Sequence, residues 1–162
     1  MLLIELIIGS KEQDFYLKKD HKMNLIQSFK LNEKGNDYVV GDIHGCFTLL
    51  QKKLDELNFN SDVDRLFCVG DLVDRGRESE ESIEWLKKDW FFCVLGNHED
   101  MAMQYLQYIE YIGDEEPDDM YVNNYIQNGG AWFIALPLEE KRKFDSAFSE
   151  LPLAIDIETS NG

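Results

Sequence analysis

The sequence predicts an α/β fold in which short buried strands of one parallel sheet alternate with amphipathic helices. Two observations carry the prediction. Three apolar runs, YVV (38–40), LFCV (66–69) and FFCVL (91–95), are rich in β-branched and aromatic residues and brief enough for buried strands. Each ends in a Gly-Asp or Gly-Asn turn and leads into a stretch of helical periodicity. Strand, turn and helix in succession set consecutive strands parallel, joined by right-handed crossovers.

Ahead of the first strand, MLLIELIIGS is apolar but short, is interrupted by Glu5 and has no Lys or Arg before its apolar run. It reads as neither a signal peptide nor a spanning helix. The next segment, KEQDFYLKKDHK, is charged and aperiodic, and a second methionine, Met23, opens the stretch MNLIQSFKLNEKGNDYVVGD. Residues 1–22 are therefore expected to be an extension outside the fold, with one domain occupying 23–162.

After the first strand, Phe47, Leu50, Leu54 and Leu57 recur at helical spacing across residues 46–59. The stretch 78–90 carries acidic residues early and lysines late, as the helix dipole prefers. Residues 98–112 form a third helix whose methionines and aromatics read as core packing. The acidic run GDEEPDD (113–119) reads as a solvated loop, and NGGAWFIAL (128–136) as a turn before an apolar patch. Residues 138–151 read as a helix, and LAIDIET (153–159) alternates like a strand.

Composition narrows the functions available. The 162 residues include 32 acidic against 16 basic side chains, a formal charge of −16, which opposes binding to nucleic acid by neutralising its phosphates. Any phosphate handled by this chain must be gripped locally. Cys46, Cys68 and Cys93 form no C-x-x-C pair, and two of them sit inside apolar runs, so they read as reduced thiols in a cytoplasmic protein. No membrane partner is expected.

The three strand-ending turns read GDIHG (41–45), GDLVDRG (70–76) and GNHE (96–99). In open α/β sheets, ligands collect at the carboxyl ends of the strands, so these turns should converge on one crevice. Asp42, His44, Asp71, Asn97 and His98 would then face a common point. Oxygen and imidazole donors without thiolate suit manganese, iron or zinc. A carboxylate can also bridge two ions and so clamp both oxygens of a phosphoryl displacement.

The set GDIHG, GDLVDRG and GNHE resembles the calcineurin-like metallophosphoesterases, and within them the phosphoprotein phosphatases of serine and threonine. NGGAWF (128–133) and ELPLAIDIE (150–158) bring the likeness closer to the bacteriophage lambda-type and bacterial members. The resemblance covers roughly residues 24 to the end of the chain. It implies a β-sandwich flanked by helices, of which this βαβαβ portion is the N-terminal half. Two further histidine ligands and a second phosphate-binding arginine belong to the family's downstream half. The chain holds only His21, His44 and His98, so that C-terminal half is expected to be missing.

Carried over by position, the resemblance makes Asp42 and His44 ligands of one divalent ion, Asp71 the bridge between two, and Asn97 a ligand of the second that also touches phosphate. It makes His98 the general acid, Asp74 the carboxylate that orients it, and Arg75 the phosphate clamp. The cofactor implied is a pair of divalent ions, manganese first, with iron or zinc open, which activate a hydroxide for attack. A guanidinium suits the role given to Arg75, since its planar fork of donors matches phosphate. An imidazole beside a carboxylate stays protonated to higher pH, as a proton donor requires.

The activity so implied is hydrolysis of phosphoserine and phosphothreonine in a phosphorylated protein or peptide. Leu95 departs from the arginine common at that position in protein phosphatases. The string VLGN also occurs in symmetrical diadenosine tetraphosphate hydrolases, which keeps dinucleoside polyphosphate hydrolysis as an alternative. An inactive fragment lacking downstream histidines is the third reading.

Overall fold

The computed structural model describes residues 25–160. The expected extension over residues 1–22 lies outside the described residues. The order of elements is β1 (Ile26–Phe29), β2 (Asp37–Val40), α1 (Phe47–Glu56), β3 (Arg65–Cys68), a 3-10 turn (Ser79–Glu81), α2 (Ser82–Leu86) and β4 (Phe91–Cys93). Then come α3 (Asn97–Ile112), α4 (Asp119–Gln127), α5 (Ala131–Ala135), α6 (Leu138–Phe148) and β5 (Ala154–Ile157). Strands β2, β3 and β4 form one parallel sheet in chain order, while β1 and β5 pair in parallel as a second.

The register sets Val40 opposite Cys68 and Cys68 opposite Cys93. Alternation then puts Tyr38, Val40, Leu66, Cys68, Phe91 and Cys93 on one face. That face meets Phe47, Leu50 and Leu54 of α1, Trp85 of α2, Ala102 and Leu106 of α3 and Phe148 of α6 in the main apolar core. On the opposite face, Phe29 of β1 packs on Phe67 and Phe92 with ring centroids 5.1 and 4.5 Å apart. The second sheet therefore lies across the first, and the guanidinium of Arg65 covers both Phe29 and Phe67. Val39 and Val69, on the same face, are 69% and 56% exposed.

The predicted α/β class and its three parallel strands are present, but several boundaries differ. Helix α1 stops at Glu56 because Asn58 turns left-handed, with φ +52°, just beyond it. The helix expected over 78–90 shrinks to Ser82–Leu86 after a 3-10 turn. Glu78 is drawn sideways to α1, where its carboxylate accepts from Thr48 N and Oγ1 at 2.8 and 2.5 Å. The expected acidic loop is present over residues 113–118, and helix α4, unanticipated from the sequence, follows it. It starts at the end of the acidic run, where Asp118 accepts from the amides of Met120 and Tyr121 and caps it. Residues 131–135, expected only as an apolar patch after a turn, are the short helix α5. Strand β1 has no local signal, because its partner β5 lies at the far end of the described chain.

Candidate active site

The three turns converge at the carboxyl ends of β2, β3 and β4. Backbone hydrogen bonds zip the first two together: the amides of Ile43 and His44 donate to Asp71 O at 3.0 and 2.9 Å, and Gly45 N donates to Leu72 O at 2.7 Å. His44, Asp71, Asp74 and Arg75 all have positive φ, from +45° to +69°, a conformation costly for residues bearing a Cβ. Among the described non-glycine residues only Asn58 shares it. The strain thus concentrates in the turns that carry the charged side chains.

Glu99 ties the third turn to the second. It is fully buried at the start of α3, and its carboxylate accepts from the amides of Asp71, Leu72 and Val73 at 3.0, 2.8 and 3.2 Å. It also accepts from Gly96 N at 3.0 Å, closing the cap of α3. Burial pushes the Glu99 carboxyl above the usual carboxylate range, against the lowering pull of these backbone donors. The sequence marks Glu99 only as part of GNHE. Its grip on three consecutive amides of another turn has no local signature.

Around this frame the side chains form a chain of contacts. His44 Nδ1 lies 2.9 Å from the carbonyl of Val73, which can only accept, so Nδ1 carries the proton and Nε2 presents a lone pair. His98 Nδ1 lies 2.7 Å from Asp74 Oδ2, with both side chains almost wholly buried. Arg75 spans the two rings: Nη1 is 2.8 Å from His44 Nε2 and Nη2 is 3.2 Å from His98 Nε2. A guanidinium has only donors, so both imidazoles accept from it and are neutral in this arrangement.

Asp74 is the most enclosed group of the set. Burial pushes its carboxyl above the usual range, while hydrogen bonds from His98 and Trp132 pull the other way. Trp132 Nε1 donates to Asp74 Oδ1 at 2.6 Å. The sequence offers NGGAWF as a likeness but gives no reason to bring its tryptophan to Asp74, 58 residues away.

His44, Asp71 and His98 present metal-capable atoms all within 4.8 Å of one another. Two neutral imidazoles and a carboxylate fit a divalent cation, and the guanidinium of Arg75 already stands in for positive charge there. Asp42 and Asn97 are exposed beside this group, with Asp42 Oδ2 3.7 Å from His44 Nε2. The seven residues singled out from sequence thus come from the same three turns. His98, expected as an acid, also falls inside the metal-capable group. A nitrogen cannot bind a cation and carry a proton at once, so Nε2 of His98 serves one role or the other.

Residues 38–159 match the family described as calcineurin-like phosphoesterase. Serine/threonine-protein phosphatase 2 of Salmonella typhimurium (strain LT2) is 36% identical over 127 residues, 76% of this chain and 53% of that protein. The symmetrical bis(5'-nucleosyl)-tetraphosphatase of Pseudomonas entomophila (strain L48) is 50% identical over 64 residues, 38% of this chain and 22% of the relative. A crystal structure described as a putative diadenosine tetraphosphatase superimposes with a TM-score of 0.58 at 26% identity, covering 82% of this chain and 49% of that one. The chain spans about half the length of the protein phosphatases it matches. Among the described residues no helix is long and apolar enough to cross a membrane.

Proposed function

The chain belongs to the calcineurin-like phosphoesterase family, and from that premise we propose that it is a metal-dependent phosphomonoesterase acting on phosphoserine and phosphothreonine in proteins. The observation that carries the reading is the buried His98–Asp74 pair meeting Arg75 and His44 in one constellation. The protein substrate is favoured because the likeness to serine/threonine-protein phosphatases runs over 76% of the chain, against 38% for the tetraphosphatase.

Asp42, His44, Asp71 and Asn97 would hold two divalent ions, manganese first among them, with iron or zinc as alternatives of similar ligand taste. When bound, such ions lower the pKa of water and neutralise phosphate charge. The remaining work falls to side chains. Arg75 exchanges its two imidazole contacts for two phosphate oxygens, to which its fork of donors is matched. Once Arg75 has moved, His98 takes a proton from solvent on Nε2 and passes it to the leaving serine or threonine oxygen as a water oxygen bonds to phosphorus and the ester P–O bond breaks, giving free alcohol and phosphate. Asp74 accepts from Nδ1 and fixes the ring's orientation, and such acid catalysis typically contributes ~10²–10⁴ in rate. Three free thiols, two of them buried, suit a reducing cytoplasmic setting.

Dinucleoside polyphosphate hydrolysis is the second reading, favoured by the 50% identity over the segment shared with the tetraphosphatase. Turnover of a phosphothreonine peptide and of diadenosine tetraphosphate by the manganese-loaded chain separates the two. Faster hydrolysis of the peptide is expected. Preference for the dinucleotide overturns the substrate assignment, and no turnover of either overturns the phosphatase reading for this chain.

A further inference from the structure

We propose that Trp132 is a positioning residue for the proton donor, acting through Asp74; the catalytic part of this inference rests on the phosphatase reading. Asp74 is fully enclosed and its two oxygens have different partners: His98 Nδ1 on Oδ2 at 2.7 Å and Trp132 Nε1 on Oδ1 at 2.6 Å. Its backbone amide is separately held by Ser79 Oγ at 2.9 Å. A carboxylate oxygen left without a donor in such a place is costly, and Trp132 fills that need.

An indole N–H can only donate and does not titrate. It therefore marks Oδ1 as an acceptor and keeps a proton off that oxygen. The carboxylate plane is then fixed with Oδ2 aimed at His98 Nδ1. With Nδ1 so engaged, Nε2 is turned toward Arg75 and the convergence of the three turns. The choice of which imidazole nitrogen faces the reacting phosphate thus depends on a donor from a separate helix.

That helix is itself anchored to the same loop. A Cβ on Gly129 would lie 2.5 Å from Arg75 N and 3.1 Å from Asp74 Cβ, so the NGG turn sits directly on the 74–75 backbone. The indole packs edge-on against Phe144 at 5.1 Å. Lys141, buried on α6, donates from Nζ to the carbonyls of Ile134 and Leu136 and ties down the end of α5. The bland reading, that Trp132 merely fills core volume, predicts nothing about its N–H.

Trp132→Phe keeps most of the ring volume and removes that N–H. Hydrolysis of phenyl phosphate, whose leaving group needs a proton, should fall about tenfold or more, with little change for p-nitrophenyl phosphate. Equal losses on both substrates would reduce Trp132 to a structural role. Independently of turnover, the ¹H–¹⁵N spectrum of the wild-type chain should show one of three indole signals shifted downfield and protected from exchange. Asp74→Asn should move that signal alone. If no indole signal responds, the placing of Trp132 on Asp74 is overturned, whereas loss of turnover in the wild-type chain with the signal intact overturns only the phosphatase reading.

Discussion

Arg75 and His44 meet nitrogen to nitrogen: Nη1 of the guanidinium lies 2.8 Å from Nε2 of the imidazole, and the second Arg75 nitrogen reaches His98 in the same way. The arginine thus holds the lone pairs that a divalent ion would need. Under the proposed function, metal and guanidinium would compete for His44, while metal and phosphate would together draw Arg75 away.

Arg75→Ala removes the competitor and the clamp together. Calorimetric titration should find Mn²⁺ bound at least as tightly as in the wild type. Binding of inorganic phosphate to the metal-loaded chain should weaken about 10- to 100-fold, the worth of a lost pair of charge-assisted hydrogen bonds. Unchanged phosphate affinity would remove Arg75 from the role of clamp.

Glu99→Gln should destabilise the fold far more than its near-identical shape suggests. The Glu99 carboxylate accepts from four backbone amides, and an amide NH₂ would point donors at donors. A loss of about 3 kcal/mol is expected for such a buried mismatch. Thermal denaturation should register it as a fall in Tm of roughly 10 °C. An unchanged Tm would contradict the fastening role.

Gly129→Ala tests the seating of the NGG turn. The residue has φ +101° and no room for a methyl beside Arg75 N. A destabilisation of about 2 kcal/mol or more is expected. Gly41→Ala, where nothing lies within 4 Å of the added carbon, should cost under about 0.5 kcal/mol. Equal effects in urea denaturation would contradict the close approach.

The pair of Asp37 and Arg65 gives a pH dependence away from the site. These directly paired residues of β2 and β3 join by two hydrogen bonds of 2.7 Å, and the Arg65 guanidinium holds the Asp37 carboxyl below its ordinary value. A depressed carboxylate contributes stability above the unfolded value of 3.8, and that contribution vanishes as pH falls through the folded value. Asp37→Asn should therefore cost about 1 kcal/mol at pH 7 and progressively less below pH 3.8. A difference that persists or grows on acidification would reverse the sign.

The parts of the structure readable from sequence are those whose cause is local. The strands ending at Val40, Cys68 and Cys93 announce themselves by apolar runs closed with Gly-Asp or Gly-Asn, and the turns after them hold the site. The acidic loop over 113–118 is readable from its Gly, Pro and carboxylates, and Asp118 at its end caps α4. The unreadable parts depend on distant partners. Phe29 belongs to β1 because β5 returns to pair with it, Glu78 leaves the helix because Thr48 takes its carboxylate, and Trp132 meets Asp74 only once α6 has brought α5 onto the 74–75 turn.

The central claim is that His44 and Asp71 sit in a cation site built where the three turns meet. Bound manganese per chain, measured after dialysis for the wild type, His44→Ala and Asp71→Asn, tests it most directly. The wild type should retain manganese, His44→Ala should retain less, and Asp71→Asn should lose it. Equal manganese in all three chains would contradict the claim.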